Sequence, residues 1–268
     1  MRIIKSSDGA ETPSQVKLPR GTAFRREPSL TSAHMARAAL PLLLSVYLAP
    51  AKAYSASNVK LLTFDGESAT KHDVQNMDDP VMGGASSSRF EVSNGACKFS
   101  GRCAIVPFLK APGFCKLSTV RTFHPVAPKF ADASSCIDGA LLIEVRSSTP
   151  QYEGFKVAFG AKNATRPRPG RGVHHAPPSF KAPFRVPAGS EYSIVRVPFS
   201  SFSVDWSEYT GACDTKDPTG EQHTCCGSAH PEVCPTAAHL AAITSLELWA
   251  EGVEGQFALD VKSIAAGH

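Results

Sequence analysis

Downstream of residue 53 the chain alternates apolar and polar side chains with a period of two. Leu141, Ile143 and Val145 lie on one face of such a run, and the residues between them lie on the other. This is the period of a β-strand with one buried face. The pattern therefore predicts strands, and it recurs over residues 155–159, 192–199, 245–250 and 257–262.

Only residues 236–243 show a helical pattern, and that pattern is short. Many short alternating runs with turn residues between them predict a sandwich of antiparallel sheets. We therefore expect residues 54–268 to form a single all-β domain with one short helix.

Two stretches interrupt the strands. Residues 161–178 are rich in proline and arginine, which predicts an exposed loop whose arginines, Arg166 among them, face solvent or an acidic partner. Residues 210–235 contain four of the eight cysteines and few apolar side chains. The second stretch is predicted to be a long loop held by disulfides.

Residues 1–53 have the composition of a leader. Eight basic and three acidic residues give this segment a charge of +5, so the remainder of a chain with a total charge of +4 carries −1. The basic character belongs to the leader, and the folded part offers no basis for nucleic-acid binding.

An apolar run over residues 39–49 follows Arg37 and precedes Ala51, Lys52 and Ala53. This arrangement predicts a signal peptide over residues 35–53, because the run is too short to span a bilayer. We thus expect no transmembrane segment after its removal.

The signal predicts the secretory pathway or the extracellular space. Met35 stands directly before it, so residues 1–34 are either a gene-model extension or a transit segment. A transit segment would direct the protein to a thylakoid lumen. A mitochondrial presequence fits less well, because the apolar run would then be unexplained.

All eight cysteines follow the predicted cleavage site, which favours disulfides in an oxidising compartment. We expect an early quartet and a late quartet, each paired internally. The alternative for the late quartet is zinc, with His223, His230 and His239 nearby, but the paired Cys-x-x-Cys spacing is missing. We therefore predict no metal and no cofactor. The quartets are Cys97, Cys103, Cys115 and Cys136, then Cys213, Cys225, Cys226 and Cys234.

A glycosylation sequon begins at Asn163. It is compatible with passage through the secretory pathway.

The most distinctive segment runs from Asp79 to Ser86. A proline followed by two adjacent glycines predicts a fixed turn, and the aspartates can accept hydrogen bonds from the following amides. Both a structural turn and a binding loop fit this pattern. The residues concerned are Asp79, Pro80, Val81, Met82, Gly83, Gly84 and Ser86.

This string resembles the hallmark of the complex I intermediate-associated protein 30 family. Further matches follow in order over residues 99–101, 113–114, 197–202 and 255–264. The resemblance implies a galactose-binding-like jelly roll, and it implies relatives that act as assembly chaperones, binding partly built membrane complexes without catalysis. One departure is Pro112 before Gly113, where the family has a pair of glycines.

No motif of a hydrolase, metalloprotease or nucleotide enzyme is present, so we expect no enzymatic activity. We predict a protein-binding or assembly-chaperone module acting in an oxidising compartment, with a membrane complex or its assembly intermediates as partner. The alternative is a carbohydrate-binding module that binds a glycan. Its candidate platform consists of Trp206, Tyr209, Trp249 and Glu247, although a packing role fits the aromatic residues as well.

Overall fold

The computed structural model describes residues 58–109, 113–120, 128–167 and 178–268. The predicted leader, its cleavage site and the boundary at residue 53 lie outside these residues and stay predictions. Within the described ranges, no helix has the length and hydrophobicity that crossing a bilayer requires.

Eleven strands, one short α-helix and five 3-10 turns make up the regular structure of the described residues. The strands are β1 (Val59–Thr63), β2 (Gln75–Asp78), β3 (Ser87–Ser93), β4 (Ala96–Cys103), β5 (Phe114–Ser118), β6 (Ala140–Ser147), β7 (Phe155–Ala161), β8 (Ser179–Pro183), β9 (Ser193–Pro198), β10 (Ile243–Glu251) and β11 (Gly255–Gly267). The helix is α1 (Ala237–Leu240).

The strands form two antiparallel sheets, as the alternation predicts. The first sheet has the order β3-β4-β11-β6-β9, and β1 pairs with the second half of β11. The second sheet has the order β2-β5-β10-β7-β8. Since the chain passes repeatedly from one sheet to the other, the fold is the predicted sandwich of the jelly-roll type.

The core lies between the inner faces of the two sheets. Phe155 and Phe159 of β7 point inward from the second sheet, and Phe257 of β11 contacts Phe155 from the first. Ile143 and Val145 of β6 are fully buried beside them. The alternation therefore predicted the inner face of these strands correctly.

The helix α1 is shorter than the segment 236–243 that the sequence predicts. Thr236 caps its first turn, and the His239 side chain accepts a hydrogen bond from the Thr236 amide in return. The helix ends early because Ile243 already belongs to β10.

The strands β10, β7 and β8 of the second sheet are buried on their outer face as well as their inner face. Every residue of β7 is buried, and so are the last seven of β10. The covering segment is residues 203–234, which we call the strap. Ser203 exchanges two backbone hydrogen bonds with Lys181 of β8, and Gly211 lies against the Glu251 carboxylate.

Candidate functional site

The distinctive segment from Asp79 to Ser86 forms a tight corner between β2 and β3. Asp79–Met82 make one 3-10 turn with Pro80 at its start, and Gly83 ends the turn with a φ of 87°. The Gly84 amide donates to the Asp79 carbonyl over 3.0 Å. A Cβ on Gly84 would lie 2.2 Å from Cγ of Asp79, so only glycine fits there.

The Asp79 carboxylate is buried and fully used inside the protein. Its Oδ1 accepts from the Ser86 amide at 2.8 Å, and its Oδ2 accepts from the Ser86 hydroxyl at 2.8 Å and from the Phe114 amide at 3.1 Å. The Ala104 amide donates to the Ser86 hydroxyl at 3.0 Å. One carboxylate and one hydroxyl thus connect the ends of β3, β4 and β5.

The neighbouring Asp78 acts in the same way one step along the strand. Its carboxylate accepts from the amide and the hydroxyl of Ser88 on β3, at 2.7 and 2.5 Å. Asp79 and Ser86 are 5% and 1% exposed, so neither can reach a ligand in this conformation. Of the two interpretations of the string, the geometry supports the structural turn.

This corner fixes both ends of the segment that joins β4 to β5. Gly113 approaches the Ala104 carbonyl so closely that a Cβ would lie 1.9 Å from its oxygen. Only glycine fits at position 113. This is the one glycine that the chain retains of the pair that the family has at positions 112 and 113. Between the two anchors the segment presents Ile105 and Phe108, which are 39% and 79% exposed.

The outer face of the second sheet carries a buried cluster of charges that the sequence reasoning missed. Glu251 on β10 accepts hydrogen bonds from Lys156 at 3.1 Å and from Lys181 at 2.9 Å. The Lys181 ammonium lies 3.6 Å from the ring centroid of Trp206 and 3.8 Å from that of Trp249. Both contacts are cation–π interactions. The alternation of the strands could have placed Lys156 and Glu251 on one face of the sheet, because both residues alternate with core residues.

The predicted glycan platform is assembled but closed. Trp206 and Trp249 approach each other to 6.3 Å between centroids, yet they are only 9% and 8% exposed. Glu247 accepts from Lys116, from Ser118 and from the Trp249 indole, so its oxygens are occupied. Tyr209 is half-buried in the strap, and the structure gives no ring contact between it and either tryptophan in the described residues.

Arg166 also belongs to this cluster, contrary to the expectation of a solvated loop residue. Its guanidinium lies 5.0 Å from the Trp206 ring, and Nη1 pairs with Glu208. The sequence missed this contact because the surrounding prolines suggest only a loop. The rest of that loop, residues 168–177, lies outside the described residues.

Burial sets the protonation behaviour of the charge cluster. Desolvation lowers the pKa of Lys181 to about 8, although the charge of Glu251 opposes this change. Burial would raise the pKa of Glu251, but Lys181 and Lys156 outweigh it and hold that pKa below its ordinary value. The carboxylate is therefore charged throughout the neutral range.

We predict that the contribution of Lys181 to stability increases with pH. Its pKa is 10.5 in the unfolded chain and about 8 in the folded one, so between these values the unfolded state binds more protons and folding is favoured as pH rises. Urea unfolding of the wild type and Lys181→Met from pH 7 to 10 measures this. The wild type should gain up to ~1.4 kcal/mol per pH unit relative to the variant above pH 8. Parallel curves for the two proteins would contradict the prediction.

The strap contains two disulfides, which confirms the predicted pairing within the late quartet. They join Cys213 to Cys225 and Cys226 to Cys234. The prediction for the early quartet was wrong, because all four of those cysteines are buried free thiols. They are Cys97, Cys103, Cys115 and Cys136.

Three of the free thiols, those of Cys97, Cys103 and Cys115, are poor nucleophiles. Burial raises the pKa of Cys97 to about 12, and it raises those of Cys103 and Cys115 as well. Cys103 donates from its thiol to the Gly113 carbonyl at 3.0 Å. These side chains serve the core as small apolar residues.

A second buried polar cluster lies within the strap itself. His223 Nδ1 lies 2.8 Å from Asp205 Oδ1, and its Nε2 lies 2.9 Å from Asp217 Oδ2. Burial lowers the pKa of His223, but the hydrogen bonds to Asp217 and Asp205 prevail and raise it. His223 is the one histidine of the predicted zinc alternative that reaches this cluster, since His230 contacts Glu232 and His239 caps α1.

The sequon residue Asn163 lies in the turn after β7 and is exposed. Its position is accessible to modification, and glycosylation itself stays a prediction.

Comparison with protein families gives one match. The family model described as Complex I intermediate-associated protein 30 matches residues 62–212. A search of curated proteins returns no significant match.

Several solved structures are similar at low identity. PfGH50B has 13% identity and a TM-score of 0.37, over 74% of this chain and 22% of that one. An exo-beta-agarase has 10% identity and a TM-score of 0.39, over 77% of this chain and 24% of that one. This chain thus spans less than a quarter of either protein.

A family 11 carbohydrate-binding module from Clostridium thermocellum, in complex with a beta-1,3-1,4-mixed-linked tetrasaccharide, has 14% identity and a TM-score of 0.39. The match covers 80% of this chain and 98% of the module. These TM-scores are too low to support an argument about function.

Proposed function

We propose a binding function for this chain, which belongs to the complex I intermediate-associated protein 30 family. In this proposal it is a non-catalytic module that binds another protein. The partner we propose is a membrane complex or one of its assembly intermediates. The family match supports a binding role of this kind. The exposed side chains of Ile105 and Phe108 offer a contact surface for the partner.

The observation that carries the proposal is the exposure of two apolar side chains, Ile105 and Phe108, on the segment between β4 and β5. Phe108 is 79% exposed although it is a large aromatic side chain, and Ile105 of the same segment is 39% exposed. The corner at Asp79 fixes the base of the segment through Ser86 and Phe114. An exposed aromatic side chain is a typical anchor of a protein interface, because it buries a large apolar area on binding.

The proposed compartment is an oxidising one. Two disulfides lie in the strap, and such bonds persist where thiols are not kept reduced. The secretory pathway, the extracellular space and a thylakoid lumen all meet this requirement.

Protein binding is favoured over the glycan alternative for a physical reason. A sugar-stacking platform needs an accessible ring, whereas Trp206 of the strap and Trp249 of β10 are both buried where the strap meets the sheet. Phe108 is accessible, but no hydrogen-bonding cluster like that around Glu247 accompanies it among the described residues.

Affinity purification tests the proposal. The full chain with a C-terminal tag, expressed in its native cell and extracted in mild detergent, should co-purify with a membrane complex or subassembly. Phe108→Ser should reduce recovery about tenfold or more, as loss of an interface anchor does. Ile194→Ser is the matched control, because Ile194 is 63% exposed on β9, which β11 and β6 separate from β4 in the first sheet.

Two outcomes would count against the proposal. One is equal recovery by wild type and Phe108→Ser, and the other is recovery of nothing above background. A glycan array probed with the purified protein serves as the contrasting experiment, and clear binding there would favour the carbohydrate alternative.

A further inference from the structure

We propose that Asp217, Glu221 and His223 bind a divalent transition-metal ion inside the strap. One ligand atom from each of these side chains lies within 4.8 Å of the others. The inference is independent of the protein-binding function proposed above, because it concerns a different part of the chain and needs no partner.

All three ligands lie in the loop that one disulfide closes. Cys213 and Cys225 bracket the loop, and the Asp217 amide donates to the Glu221 carbonyl at 2.8 Å across its turn. Asp217 and His223 are buried, and Glu221 is half-buried. The crosslink reduces the conformational freedom of the ligands before an ion arrives, which lowers the entropic cost of binding.

Neighbouring groups already orient two of the ligands. Asp205 Oδ1 binds Nδ1 of His223 at 2.8 Å, which directs Nε2 toward Asp217. The other Asp205 oxygen accepts from the amide and the hydroxyl of Thr224 at 3.0 and 2.9 Å, so Asp205 is itself held in place. A carboxylate on the far nitrogen of the imidazole is the usual support of a metal-binding histidine.

Asp217 is supported in the same manner. The Ser207 hydroxyl donates to its Oδ1, which leaves Oδ2 on the side of His223. Support of the ligating carboxylate by a hydrogen bond from outside the ligand set is a further regular feature of metal sites.

The charges of the cluster favour a cation. Asp205 and Asp217 place two carboxylates beside one imidazole, and the ion pairs of the described residues give neither aspartate a lysine or arginine. Without an ion, Nε2 of His223 and Oδ2 of Asp217 lie 2.9 Å apart, the distance of a hydrogen bond that places a proton between them. A divalent ion would displace that proton and supply one more positive charge at the same place.

The donor set indicates the class of ion. One imidazole nitrogen and two carboxylates suit zinc and neighbouring first-row ions such as Mn²⁺ or Ni²⁺, and three protein ligands leave a position for water. The cysteines nearby cannot serve as ligands while they form disulfides. The three ligands also follow residue 212, where the family match ends, so this site belongs to a part of the chain that the family model does not cover.

Calorimetric titration of the chelator-treated full chain with Zn²⁺ tests the proposal. We expect about one ion per chain, with affinity reduced at least ~10-fold in Glu221→Gln. Glu232→Gln is the matched control, because Glu232 is an exposed residue of the same strap and contacts His230 instead. Circular dichroism of each variant verifies that it is folded.

Nuclear magnetic resonance of the His223 imidazole nitrogens gives a second, independent readout. On addition of Zn²⁺, Nε2 should lose its proton and shift while Nδ1 keeps its proton toward Asp205. Two protonated nitrogens at saturating Zn²⁺ would overturn the proposal in favour of a simple ion pair between His223 and its aspartates. Binding that Glu221→Gln leaves unchanged would overturn it as well, because the ion would then lie elsewhere.

Discussion

Replacing Glu251 with glutamine should lower the free energy of unfolding by about 3–5 kcal/mol. The glutamine keeps the volume of the side chain but leaves Lys156 and Lys181 without the buried carboxylate that both of them contact. Lys181 is only 2% exposed in its side chain, so water cannot replace the lost charge. An uncompensated buried charge of this kind is among the most costly single changes in a folded protein.

Urea unfolding at pH 7, followed by circular dichroism, measures the effect. Glu91→Gln is the control, because Glu91 is exposed on β3 and should change stability by less than ~0.5 kcal/mol. Adding Lys181→Met to Glu251→Gln should recover part of the loss, since it removes the stranded ammonium. If the double variant were less stable than Glu251→Gln by the full cost of Lys181→Met alone, the two residues would not be coupled.

Replacing Asp79 with asparagine should cost about 2–4 kcal/mol, because an amide nitrogen would face donors that now meet a carboxylate oxygen. The Ser86 hydroxyl and the Phe114 amide both donate to Oδ2, and the Ser86 amide donates to Oδ1. Whichever way the new amide turns, at least one buried donor loses its acceptor. We expect local loosening of the corner together with the loss of global stability.

Chemical denaturation gives the global effect, and hydrogen exchange at the Ser86 and Phe114 amides gives the local one. Asp138→Asn is the matched control, because Asp138 is exposed. Unchanged exchange protection at both amides in Asp79→Asn would show that the corner does not depend on this carboxylate. Ser86→Ala should also lower stability, since it removes the hydroxyl that donates to Asp79 and accepts from the Ala104 amide.

The strands could be predicted from the sequence because burial of one face imposes a period of two. Phe155, Val157 and Phe159 point into the core as predicted. The burial of the outer face of β7 could not be predicted, because a lysine such as Lys156 on the polar face of a strand indicates exposure to solvent. It is buried because the strap covers it. Long-range covering of this kind leaves no local pattern in the sequence.

The cysteines show the same division between local and long-range information. The late quartet lies in one loop, where short separations of 12 and 8 residues bring partners together. Cys97 and Cys103 occupy the two ends of the single strand β4. Six residues of extended chain span roughly 20 Å, far beyond the reach of a disulfide, so these two cannot pair with each other.

The corner at Asp79 illustrates what a distinctive string can and cannot reveal. Its proline and glycines predicted a turn, and the turn is present. That the carboxylate would bind Phe114, distant in sequence, required the fold. The string marks a structural joint, and the exposed residue that it positions, Phe108, carries no sequence signal of its own.

The placement of the indole side chains gives the molecule a built-in optical reporter. The chain has two tryptophans, and both lie where the strap meets the outer face of β10 and β8. The sandwich interior is lined by phenylalanine, which is not excited at the red edge of indole absorption. Emission excited there would therefore report on the contact between the strap and β10, while the phenylalanine rings of the sandwich interior contribute nothing to it.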